Sequence, residues 1–94
     1  MNIEPLFCLS NAHIRQATCE ALQNDDWPMA VYPNEYGAFV QVPDPRFPEL
    51  VAQVNEHLYP DLLAVLKWAQ INNLSWIKFD GSGNTVEGLL TFDW

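Results

Sequence analysis

From Leu74 the chain reads LSWIKFDGSGNTVEGLLTFDW, and over Ser75–Phe79 it alternates Trp76 and Lys78 with Ile77 and Phe79. That period of two is the signature of a half-buried strand. Asp80-Gly81-Ser82-Gly83-Asn84 follows, residues that tolerate positive φ or bond their own backbone, so the chain can reverse. Leu90, Phe92 and Trp94 then share one face of a returning strand, with Thr91 and Asp93 on the other. The pattern predicts a terminal β-hairpin built into the core.

The same reading extends back to the start. Ile3 to Leu9 is a predicted strand whose run Leu6-Phe7-Cys8-Leu9 suits a central position, with Pro5 tolerated near its beginning. Ser10 is an N-cap for a helix over Asn11 to Gln23, where Ile14, Ala17, Thr18, Ala21 and Leu22 make one apolar stripe. Met29 to Tyr32 and Tyr36 to Val42 form a predicted hairpin joined at Pro33-Asn34-Glu35, and Gly37 marks a bulge or a close backbone approach. Three prolines within Pro43–Pro48 require a loop. Glu49 to Leu58 has a helical pattern but a poor N-terminal cap. Pro60 and Asp61 open a stronger helix to about Asn72, with Leu62, Leu66 and Ala69 as its stripe, widened by Leu63 and Val65.

Counting strands and the two long helices, the order is β-α-β-β-α-β-β. The expected fold class is α+β: a two-layer sandwich, with a mainly antiparallel sheet of about five strands and the helices on one face. The first six elements follow the ferredoxin-like order βαββαβ. At 94 residues, a single domain over 1–94 is expected.

Charge narrows the partners. Twelve acids against four bases leave a formal charge of −8, which argues against direct contact with nucleic acid or an anionic membrane. It permits a basic protein partner, or serves solubility alone. Cys8 and Cys19 lie in no CxxC pair and no zinc-like spacing, so two buried, reduced thiols are expected. The start MNIEPLFCLS has neither a basic n-region nor a long apolar h-region, and no apolar run reaches the ~20 residues that span a bilayer. The expectation is a cytoplasmic protein.

Candidate chemistry is sparse. No GxSxG, HExxH, P-loop or dinucleotide fingerprint occurs. His13 falls in a first helical turn, where the dipole favours a neutral imidazole; it is either a structural residue or a partner for an acid such as Asp80. His57, beside Glu56, is expected on the surface. The loop Asp80–Asn84 alternates acid, hydroxyl and amide oxygens, with Glu87 the one acid just beyond it. It lacks the spaced carboxylates and closing Glu of a calcium loop, so no metal and no cofactor is expected. The aromatics Tyr32, Tyr36, Trp76 and Trp94 all fall on predicted strands. They either pack under loops or form a flat apolar patch rimmed by acids, which suits a protein–protein interface or a homodimer.

Four stretches carry a resemblance: Ser10-Asn11-Ala12-His13-Ile14, Tyr32 with Glu35-Tyr36-Gly37-Ala38-Phe39-Val40, Pro60-Asp61-Leu62-Leu63, and Phe79-Asp80 with Glu87-Gly88-Leu89 and Thr91-Phe92-Asp93-Trp94. With these the chain resembles an uncharacterised family of short acidic bacterial proteins encoded on plasmids, prophages and integrative elements. Asn11 stands where that family usually has Thr, and Ser82 where a second Asp often follows. The resemblance implies a fold and a mobile-element setting, and brings no activity.

Three functions are therefore open. The leading expectation is a non-enzymatic acidic interaction protein that binds or inhibits a host protein, one with a basic surface, nucleic-acid mimicry being one form of it. Mimicry would need carboxylates arrayed like phosphates on one face. The second is a small enzyme or ligand-binding domain with a pocket near His13 and Asp80, between the sheet and loop 43–48. The third is a self-associating structural module.

Overall fold

The structure, a computed structural model, describes residues 5–24, 26–35 and 37–92. Its elements are β1 (Leu6–Ser10), a 3₁₀ turn (Asn11–His13), α1 (Gln16–Asn24), β2 (Val31–Asn34), β3 (Gly37–Gln41), α2 (Pro48–Ala52), α3 (Pro60–Ile71) and β4 (Trp76–Asp80). The class is α+β, with one four-stranded mixed sheet in the order β1-β4-β3-β2. β1 pairs parallel with β4, while β4 with β3 and β3 with β2 are antiparallel.

Register explains the amphipathic sheet. Leu9, Phe79 and Ala38 form one row across the strands; Phe7, Ile77, Val40 and Val31 form the next. Facing residues share a side of the pleat. Leu9, Ala38, Val40, Ile77 and Phe79 are wholly buried in one cluster with Cys19 and Leu22 of α1 and Leu62, Val65, Leu66 and Ala69 of α3. Both helices thus supply the core on that face, and Phe7 meets Trp68 of α3 edge-on at 5.4 Å between ring centroids.

The terminal hairpin does not form among the described residues. β4 has β1 on one side and β3 on the other, so no hydrogen-bonding edge is left for a returning strand. Past the turn, Asn84 instead makes a parallel bridge to Leu9 on the outer edge of β1. Ser10 N–H donates to Asn84 O at 2.8 Å and Asn84 N–H to Cys8 O at 3.1 Å. Residues 85–92 continue as irregular chain, and Asp93 and Trp94 lie outside the described residues. The sheet accordingly has four strands among the described residues, not five.

The ferredoxin-like likeness ends at element order. In that fold each βαβ unit brackets one strand. Here β1 and β2 are the two outer strands and bracket both others, so β1 is an edge strand rather than a central one. Pro33 lies within β2, where an outer edge tolerates its missing N–H.

The first helix is also broken. Ser10 caps as expected, its Oγ accepting from Ala12 N–H at 3.1 Å, but it caps only the 3₁₀ turn. Ile14 is extended (φ −126°, ψ 155°) and wholly buried, and α1 begins at Gln16. The helical pattern after Glu49 stops at Ala52, where Asn55 Oδ1 takes the N–H groups of His57 and Leu58 and turns the chain.

Candidate functional site

Two surfaces gather the chemistry. The first is the sheet face turned away from the helices. Register puts Cys8, Lys78, Phe39 and Tyr32 in one row, with Leu6, Trp76 and Gln41 in the neighbouring one. Tyr32 of β2 reaches over β3 to stack on Trp76 of β4, with centroids 6.0 Å apart and planes 27° from parallel. Lys78 Nζ lies 5.7 Å from the Phe39 ring centroid and 3.7 Å from Asp80 Oδ2. Tyr32 is 60% exposed and Leu6 48%. A strand alternation that buries Ile77 and Phe79 necessarily delivers Trp76 and Lys78 to this side.

The second is a cavity of about 330 Å³ between α3 and the carboxy-terminal segment, lined by Pro60, Ala64, Val65, Leu89, Leu90 and Phe92 with His13, Arg15 and Asp61. His13 is 2% exposed. Its Nε2 accepts from Val86 N–H at 2.9 Å, which makes Nδ1 the protonated nitrogen, donating to Leu90 O at 2.7 Å. Both ring nitrogens are thus committed in the neutral form. Phe92 N–H adds a bond to Ala12 O at 2.8 Å, so the 3₁₀ turn ties down the segment from Val86 to Phe92.

Asp61 does a similar service for α1. Its side chain is 1% exposed, and Oδ2 accepts Arg15 N–H at 2.7 Å while Oδ1 lies 3.4 Å from Arg15 Nη2. Arg15 O in turn receives Cys19 N–H, so Arg15 is the cap residue of α1 and Asp61 caps it from another helix. Arg15 Nη2 also donates to Leu58 O, and Arg15 Nε is buried without a partner among the described residues.

The expected site residues divide between these places. Tyr32 and Trp76 meet on the open face; Tyr36 and Trp94 lie outside the described residues. His13 lines the cavity, but Asp80 does not join it there. Asp80 instead accepts Ser82 N–H at 2.8 Å in a self-closing turn and pairs with Lys78. Glu87 stands exposed in the turn before Gly88. The pocket expected between the sheet and loop 43–48 is a separate, more polar hollow of about 310 Å³ that includes Trp76, Asp44 and Gln70.

Residues 6–94 match the family of unknown function DUF5983, C-terminal domain. The chain belongs to that family. No curated protein and no solved structure matches it. Among the described residues of this DUF5983 domain, no helix is long and apolar enough to cross a membrane.

Sequence reasoning missed Arg15 and Asp61 as a pair. Asp61 was legible only as a favourable acid in a first helical turn. Its partner lies 46 residues away, and nothing local points to it.

Proposed function

We propose that this domain is a non-enzymatic interaction module that binds, and thereby inhibits, a basic protein of the bacterial host through the open face of its sheet. The Tyr32–Trp76 stack carries the reading: two large rings rest on each other with Tyr32 mostly in solvent, beside Leu6, Phe39 and Lys78. Aromatic groups on an otherwise open face are what interface centres are made of. The charge of −8 supplies the partner's chemistry, since it would steer a positively charged surface toward the domain. The mobile-element setting implied by the resemblance makes the host cell the place to look.

Mimicry of nucleic acid gains less support. The described acids are carried by separate elements, with Asp61 buried and Asp44 and Asp80 in ion pairs with Arg46 and Lys78. The committed nitrogens of His13 and the Arg15-bound carboxylate of Asp61 likewise favour a structural role over acid–base chemistry.

The test is a pull-down from host lysate with the wild type and a Tyr32→Ser/Trp76→Ser variant, followed by binding of the purified partner at low and raised salt. The proposal expects a basic partner that the variant fails to retain and that weakens as salt rises. Equal retention by the variant sinks it. Sedimentation of the domain alone checks the self-associating alternative, which requires a dimer that the same variant dissociates.

A further inference from the structure

The cavity beneath the carboxy-terminal segment points to a second, independent site. Its walls are mainly apolar, with Ala64 and Val65 of α3 facing Leu89 and Phe92. Its volume of about 330 Å³ equals roughly eleven waters at ~30 Å³ each, room for one ring with a short substituent. The polar groups at its edge have little left to offer except donors. His13 has spent both nitrogens, and both oxygens of Asp61 face Arg15. The Arg15 side chain is 43% exposed, and its guanidinium bonds protein only through Nη2, leaving Nη1 without a partner among the described residues. An occupant must therefore supply an acceptor. A carboxylate would meet the Asp61 charge and the field of a −8 chain, so an uncharged oxygen fits better.

We propose that this cavity binds a small uncharged ring compound whose carbonyl oxygen accepts from Arg15, the ring lying between α3 and Phe92. The experiment is a ¹⁵N–¹H NMR titration of the full chain with acetophenone, ethylbenzene and benzoate as probes. Acetophenone should give saturable shifts confined to His13, Arg15, Ala64, Val65 and Leu89–Phe92. Ethylbenzene, lacking the acceptor, should bind about tenfold more weakly, as should benzoate. Arg15→Met should weaken acetophenone about tenfold and leave ethylbenzene unchanged. Because Arg15 also caps α1, Ala64→Leu, at an exposed helical position, provides a second variant that fills the space and should abolish binding of every probe. Shifts that never saturate, shifts on the Tyr32–Trp76 face, tighter binding of benzoate than of acetophenone, or binding unaffected by Ala64→Leu would each overturn the assignment.

Discussion

Val86 N–H donates to His13 Nε2 at 2.9 Å, joining residues 73 positions apart and making a buried imidazole the fastener of an irregular segment. His13→Ala removes that acceptor and the donor to Leu90 O, and leaves a void. Two lost hydrogen bonds at ~1 kcal/mol each, plus imperfect collapse of the void, give an expected destabilisation of about 2–4 kcal/mol. Amide exchange at Val86 and Phe92 should accelerate more than at Ile77. Unchanged protection of Val86 would show that the histidine does not hold the segment.

Capping across the fold makes a different prediction. Asp61→Ala deprives Arg15 N–H of its acceptor and α1 of its cap, at a cost of about 1–2 kcal/mol. The Arg15 side chain is 43% exposed and its terminal nitrogens can turn to water, so the larger penalty of a stranded buried charge should not appear. Asp61→Asn keeps one acceptor and should recover part of the loss. Thermal denaturation of the three proteins ranks them wild type, Asn, Ala; an Ala variant as stable as wild type contradicts the assignment.

Two glycines are required by close approach. A Cβ on Gly37 would lie 2.1 Å from Phe79 O at a φ of +154°, and one on Gly83 would lie 2.4 Å from Leu9 C. Backbone atoms cannot move aside as a flexible side chain can. Gly37→Ala and Gly83→Ala are each expected to cost more than about 2 kcal/mol, the second by lifting Asn84 from β1. Gly81→Ala, whose nearest neighbour would be Asn11 Nδ2 at 3.9 Å, should stay within ~0.5 kcal/mol of wild type. Urea midpoints separate the two classes, and equal midpoints would refute the argument.

Asp44 offers a pH test. Hydrogen bonds from the Arg46 side chain and backbone, with its positive charge, hold the Asp44 carboxyl below the ordinary carboxylate range. A folded-state pKa lowered in this way contributes stability above the unfolded value, and that contribution is lost as pH falls through the folded one. Asp44 is at the surface, so its effect on stability should be slight and its titration is the sharper readout. Carboxyl ¹³C shifts should show Asp44 protonating below the usual range, and Arg46→Gln should raise its midpoint. A midpoint insensitive to Arg46→Gln rules out the pairing.

The thiols should differ in reactivity. Burial, and then the charge of Glu20, pushes the Cys19 thiol up from its ordinary pKa. Cys8 is only half-buried, on the open sheet face. Iodoacetamide at mildly alkaline pH should therefore label Cys8 first, because the thiolate is the nucleophile. Labelling of Cys19 first, read by peptide mass, would contradict this.

Local pattern was enough for several elements. The apolar repeat Leu62, Leu66, Ala69 with Pro60 and Asp61 ahead of it marks α3, because a helix that buries one face must repeat near 3.6 residues and tolerates proline only in its first turn. Alternation likewise marks β4 and separates Ile77 and Phe79 from Trp76 and Lys78. What alternation cannot convey is which strand lies alongside. The interior place of β4 denied Leu90 and Phe92 a strand to pair with, and only tertiary contact could reveal it. The break at Ile14 and the burial of Asp61 have the same origin: a hydrogen bond to a residue 46 positions away outweighs the local preference for a continuous helix. Sequence alone determined which side of α3 and of β4 is apolar, since that depends on neighbours in the chain. Strand order, the His13 fastening and the cavity depended on groups far apart in the chain, whose pairing is set by which burial satisfies every backbone donor at once.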